Sequence, residues 1–269
     1  MKFLLTTILL ATTSAAAGQN PAPAPAAVAT PAPRAAGKLS FGFIAESRDD
    51  RGFPLVLRGA HQAAADMKAV GLDISIQSYA PAPDDAARSS AIDDLTSGPF
   101  PAPVDALAIQ GSALSGAAAA AAAARSIAAG VPVIVFDTET TGAPGAFASV
   151  VVDGDAVARM MKDAGARDGA SLAHLAELSD NRAMLVIDRR PYDQGRRCVE
   201  LMVAKNQGQT VSAREALAPV AVTFRTLQRY LADMKGKGIA PENGAPWPAP
   251  PGPGSGSAPG AANPAAPRR

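Results

Sequence analysis

Leu39-Ser40-Phe41-Gly42-Phe43-Ile44-Ala45 is the stretch whose reading decides the fold. It is a short apolar run, rich in aromatic and branched residues, closed by the charged loop at 46–52, which is the pattern of a buried strand. Residues 55–70 follow with helical spacing. Leu57, Ala60, Ala64, Met67 and Ala69 fall broadly on one side, and Gly71 stands where a helix-terminating glycine belongs. Residues 72–79 then alternate as a second strand. Strand, helix and strand in that order make a right-handed parallel crossover the default.

The same alternation continues outward. Residues 84–97 read as a helix, 104–110 as a third strand and 115–129 as a very alanine-rich helix, alanine being the best helix former. Val131-Pro132-Val133-Ile134-Val135-Phe136 is a fourth strand that runs into the carboxylate of Asp137, and 148–152 a fifth. Beyond Asp153 the rhythm weakens. The spacing predicts helices at 155–166 and 171–178, a strand at 183–187, an amphipathic helix at 192–205, a last strand at 220–224 and a closing helical stretch at 227–234. The predicted fold class is α/β, an open, doubly wound parallel sheet whose ligand site lies beyond the carboxyl ends of its strands.

Both ends of the chain differ from this body. Lys2 precedes the apolar run Phe3-Leu4-Leu5-Thr6-Thr7-Ile8-Leu9-Leu10, and small residues follow through Ala17, so 1–17 reads as an export signal and the expected location is periplasmic. The apolar run is about half of the roughly 20 residues that a membrane helix needs. Residues 18–37 and 241–269 are dominated by proline, alanine and glycine and are expected to act as a tether and a tail, flanking a body at 38–234. The chain carries 25 Lys+Arg against 24 Asp+Glu, a net charge of +1, with no basic stripe of the kind that neutralises phosphates, which excludes nucleic acid as a partner. A single cysteine, Cys198, excludes an internal disulfide and a cysteine-cluster zinc site, and its apolar neighbours predict a buried thiol.

Three stretches in this order resemble the type I periplasmic solute-binding proteins of the ribose-binding kind. Phe53, Leu57, Arg58, Gly59 and Ala60 are similar to the start of that family's first helix, and residues 131–137 to its strand ending in a sugar-binding aspartate. Arg190-Pro191-Tyr192-Asp193-Gln194-Gly195 is similar to the crossing by which the chain re-enters the first lobe. The resemblance implies that Phe53 stacks on a sugar face, that Asp137 accepts hydroxyl hydrogen bonds, and that Asp50 sits in the first ligand loop. Thr138 stands where the ribose-binding pattern has an arginine, and Arg189-Arg190 stand at the hinge in place of an amide; Thr138 and Arg189 complete the expected ligand set. Residues 153–188 are expected to be the remnant of the second lobe, able to make two helices and a strand but too short for a core of their own.

The residues also carry plainer readings. Phe53 suits a hydrophobic staple at a helix start, Asp137 a capping aspartate, and Asp50 a solvated loop. His61 and His174 are not spaced as metal ligands, Gly169-Ala170-Ser171-Leu172-Ala173 lacks the closing glycine of a nucleophile elbow, and no phosphate-binding glycine motif or cofactor motif is present. The expectation is an exported, non-catalytic solute-binding protein, without cofactor or metal, serving an importer or a sensory system through a membrane permease or sensor protein. With half of the enclosing site deleted, sugar binding should be weak or lost, near the millimolar range or about −4 kcal/mol. The alternative is a degenerate lobe acting as a protein-binding adaptor, with self-association into a homodimer replacing the lost lobe.

Overall fold

A computed structural model describes residues 37–98, 103–162, 165–170, 172–180 and 182–239. The expected signal, nearly all of the tether, the tail and Ser171 lie outside the described residues. The chain runs β1 (Lys38–Ile44), α1 (Phe53–Ala69), β2 (Asp73–Tyr79), α2 (Asp85–Ser97), β3 (Ala106–Gln110), α3 (Ala117–Ala128), β4 (Val133–Asp137) and β5 (Ala148–Val152). It continues with α4 (Gly154–Met160), β6 (Ala166–Asp168), α5 (Leu172–Ser179), β7 (Leu185–Asp188), α6 (Pro191–Asn206), β8 (Arg214–Leu217), β9 (Val220–Val222) and α7 (Leu227–Gly236).

Six strands form one sheet in the order β2-β1-β3-β4-β5-β8, with every neighbouring pair parallel. The runs at β1, β3 and β4 are apolar at nearly every position because helices cover both faces. Phe41, Phe43, Ala106, Ile134, Phe136 and Val150 point to the layer of α1 and α6, whereas Ile44, Leu107, Ile109, Val133 and Val135 point to α2 and α3. Fully burying a side chain such as Phe43 contributes about 1.5–3 kcal/mol. Gly42 fits its strand because a Cβ there would come within 2.7 Å of Leu107 Cδ1. The sheet is α/β and doubly wound, as the alternation predicts.

Helices α1 and α6 cross closely enough that glycine is required on both. A Cβ on Gly59 would collide with the Tyr192 carbonyl oxygen, and one on Gly195 with that of Val56. The crossing welds the returning helix to the first one. It also fixes the start of α6, and with it the hinge, above the sheet.

The remaining elements form a second, smaller unit. Strands β6, β7 and β9 make a three-stranded sheet in that order, β6 parallel and β9 antiparallel to β7. Val157, Leu185 and Ile187 pack on one face of it, and Leu178, Val186, Val222, Leu227 and Leu231 on the other. This corrects two expectations. The helix predicted over 155–166 stops at Met160, and Gly165, with a positive φ of 81°, turns the chain into β6. As expected, 153–188 has no core of its own: β9 and α7 return from beyond residue 188 to supply the side chains that it lacks. The predicted strand at 220–224 therefore joins this unit instead of the large sheet, while the sixth place in that sheet goes to β8, a strand that the sequence reading passes over.

Candidate functional site

The carboxyl ends of β1, β3 and β4 and the start of α6 bring together a group of polar side chains in an otherwise apolar setting. Asp137 ends β4 with a φ of 71°. The Thr138 N–H donates to the Phe136 carbonyl at 3.0 Å across it, closing a three-residue turn of the strained, positive-φ kind. Burial holds the Asp137 carboxyl above the usual carboxylate range, opposed by the Gln110 amide and the Arg189 charge and reinforced by the Asp50 charge. Asp50, Gln110, Asp137 and Arg189 therefore share one electrostatic neighbourhood.

Gln110 is the joint of this group. It ends a strand whose five residues are all buried and is itself 7% exposed. Its Oε1 accepts the Glu46 N–H at 2.7 Å, tying down the loop after β1, and its Nε2 donates to Asp137 Oδ2 at 3.3 Å. Asp50 holds the start of α1, its Oδ1 accepting from the Gly52 N–H at 2.7 Å and the Phe53 N–H at 3.3 Å. Phe53 is only 5% exposed and lies nearly parallel to Phe136, with ring centroids 6.5 Å apart and an interplanar angle of 14°. One face of the ring thus belongs to the core. Thr138 follows at the end of β4 with its carbonyl packed against Gly111, where a Cβ would not fit.

Arg189 comes from the hinge between β7 and α6. Its guanidinium makes a two-pronged bond to Asp168 at the end of β6, Nε to Oδ1 at 2.8 Å and Nη2 to Oδ2 at 2.6 Å. That bond holds the Asp168 carboxyl below its ordinary pKa and raises that of Arg189. Arg190 is the second residue outside glycine with a positive φ among the described residues, at 56°, and immediately precedes Pro191. Asp188 Oδ1 accepts the Arg190 N–H at 2.7 Å and holds this turn, while Tyr230 of α7 donates to Asp188 Oδ2 at 3.1 Å. The two strained residues therefore stand at the end of β4 and at the start of α6.

Three members of the group escape sequence reasoning: Gln110, Asp168 and Gln194. Gln194 is 1% exposed, donates Nε2 to the Arg189 carbonyl at 2.8 Å, and its amide lies close enough to Asp137 to lower that pKa. Its Oε1 has no hydrogen-bond partner among the described residues, and neither has the Oγ of Ser112, one residue past Gly111. Both atoms therefore retain unused hydrogen-bonding capacity. The signal was present in the sequence as an amide closing the apolar run of β3 and another inside the motif at 190–195. The charge of Asp168 carried no such cue.

A separate depression of 350 Å³ opens between Val135, Ala148, Ser149 and Ala213, beneath the Glu139–Arg214 ion pair. Its wall is alanine, small polar groups and that exposed pair, and none of the strand-end residues contributes to it. Among the described residues no group of three or more His, Cys, Asp or Glu is placed to hold a metal ion. His174 directs Nδ1 to the Gly169 carbonyl at 2.6 Å, His61 is exposed, and Cys198 is fully buried with its thiol pKa pushed up by burial.

No protein-family profile matches the chain, and no curated protein does. Solved structures do. A solute-binding protein of an ABC transporter from Burkholderia graminis C4D1M, in complex with D-arabinose, superposes with a TM-score of 0.59 at 15% identity, over 73% of this chain and 99% of that one. One from Bacillus halodurans C-125 with bound myo-inositol gives 0.57 at 13% identity, over 74% and 99%. A periplasmic ribose ABC transporter protein from Conexibacter woesei gives 0.57 at 14%, over 73% and 95%. The fold is that of the type I periplasmic solute-binding proteins.

Proposed function

We propose that the protein is an exported, non-catalytic binding protein for a small hydroxylated solute, held in the crevice between the six-stranded sheet and the three-stranded unit. The observation that carries this reading is the convergence of Asp137, Gln110, Gln194 and the Arg189–Asp168 pair at the carboxyl ends of the strands, with Gln194 Oε1 buried and unpartnered. Asp137 and Asp50 accept hydroxyls, Thr138 and Arg189 line the crevice, and Phe53 with Phe136 forms an apolar floor. The solutes named for the structural neighbours, D-arabinose and myo-inositol, support the choice of a sugar or polyol. The role is that of a component of an importer or a sensory system, meeting a permease or sensor protein in the membrane. The expected signal at 1–17 supports export, and among the described residues no helix is long and apolar enough to cross a membrane.

One observation favours the adaptor reading: the ring of Phe53, the natural sugar platform, is largely taken up by Phe136. Calorimetric titration of the mature chain with D-arabinose, D-ribose and myo-inositol separates the two. Solute binding predicts saturable heats near millimolar concentration, weakened in Asp137→Asn by the loss of charge-assisted hydrogen bonds worth about 1.5–3 kcal/mol. Flat heats from folded protein leave the adaptor as the function.

A further inference from the structure

The peptide that joins Arg189 to Arg190 is gripped from both sides. Its carbonyl accepts from Gln194 Nε2 at 2.8 Å, and its N–H donates to Asp188 Oδ1 at 2.7 Å. Both bonds come from buried side chains rather than from a neighbouring strand or helix. Asp188 is held in turn, because its other oxygen, Oδ2, accepts from the Tyr230 hydroxyl of α7 at 3.1 Å. Only the NH2 end of the Gln194 amide can serve a carbonyl, so the grip also decides which way that amide faces.

The grip stands where the backbone would otherwise relax. Arg190 has a φ of 56° and a ψ of 47°, the left-handed region that a residue with a Cβ disfavours. It also precedes Pro191, whose ring favours extended backbone in the residue before it. A return of Arg190 to negative φ would redirect the chain between Arg189 and α6. Since α6 is locked against α1 at the Gly59–Gly195 crossing, that change would fall on the β7 side. It would reach Arg189 and its two-pronged bond to Asp168 first.

We propose that Asp188, Tyr230 and the Gln194 amide are positioning residues for the solute site: they hold Arg190 in its left-handed turn and so aim the Arg189 guanidinium at Asp168. The proposal rests on the solute-binding reading above, which gives the Arg189–Asp168 pair to the solute, and adds the device that sets the pair. Asp188 and Tyr230 act on the solute through Arg189, without touching it.

The test follows the Arg189 Nε–H signal of the full mature chain by NMR, identified by its loss in Arg189→Lys, with calorimetric titration of D-arabinose alongside. In the wild type the signal should be displaced from that of free arginine and slow to exchange with water, as a guanidinium held on two prongs requires. Tyr230→Phe and Gln194→Met should each move it toward the free position and weaken D-arabinose about threefold to tenfold, the scale of one hydrogen bond lost. Adding Arg190→Gly, which takes a positive φ without strain, should recover most of both readouts, a rescue that a general loss of packing does not allow. An Arg189 signal unmoved in both variants, or a loss that Arg190→Gly leaves uncorrected, overturns the proposal. If Gln194→Met does not fold, Tyr230→Phe, which removes a single hydroxyl, decides the matter alone. Flat heats from folded wild type, with the Arg189 signal responding as expected, overturn the solute-binding reading and leave the grip on Arg189 standing.

Discussion

The six-stranded sheet and the three-stranded unit solve the same problem, covering a sheet with helices, in opposite ways. The large sheet is built almost entirely from consecutive strand–helix units, and its inner strands are buried on both faces. The small one has strands of three or four residues, takes β6 and β7 from one part of the chain and β9 and α7 from another, and holds a smaller core. A rigid platform thus carries Asp137, Gln110 and Asp50, and a lighter unit presents Asp168 to Arg189. Elements with few buried contacts open first, so the second unit is expected to open before the large sheet does.

That contrast is open to direct attack by mutation. Phe136→Ala removes a ring buried between Phe43 and Phe53 and is expected to cost about 3–5 kcal/mol of global stability in urea unfolding. Leu178→Ala, equally buried but in the second unit, should cost about 2–5 kcal/mol. Its loss should appear as faster hydrogen exchange in 166–188 and 220–236 with the large sheet still protected. If both variants unfold the whole chain as one transition, the two units are a single cooperative body.

Gly195→Ala tests the weld that carries the hinge. The added methyl group meets the Val56 carbonyl, and α1 and α6 must part, an overpacking expected to cost about 1–3 kcal/mol. Unchanged thermal stability would mean that the crossing is looser than described.

The smallest effect is a pH dependence confined to the hinge. Burial raises the Asp188 pKa, opposed by the Arg190 N–H and the Tyr230 hydroxyl. A carboxyl raised in the folded state stabilises the fold below its unfolded value, about 3.9, and that contribution disappears as pH rises through the folded value. Wild type should therefore lose stability relative to Asp188→Asn as pH rises from about 4 through the raised folded value, with the shared contribution of Asp137 cancelling in the comparison. Parallel curves would place Asp188 in a solvated setting.

How much of this was legible in the sequence follows the same division. The strands and helices up to Val152 announce themselves because the inner strands are largely apolar, β2 alternates as an edge strand should and helical stretches separate them, so local pattern and tertiary burial agree. The part that β9 and α7 play in the second unit was not legible, because its core exists only once they return, and no local window contains that fact. β8 was missed because Arg214-Glu215-Ala216-Leu217 is a half-exposed edge strand with little apolar content. In the crevice, the carboxylate ending an apolar strand identified Asp137 as a candidate. Gln110 and Gln194 are ordinary amides in the sequence, and only their burial singles them out. Phe53 was named by resemblance, while its neighbour Phe136 takes up one face of the ring.

The account stands on a ligand bridging the two units, and hydrogen exchange with and without saturating sugar measures that most directly. Using the tightest-binding sugar from the titrations, the account predicts slowed exchange both at 44–53, 110–112 and 137–141 on the platform and at 166–170 and 188–195 on the second unit and hinge. Protection of the platform alone, or of neither region, would contradict it.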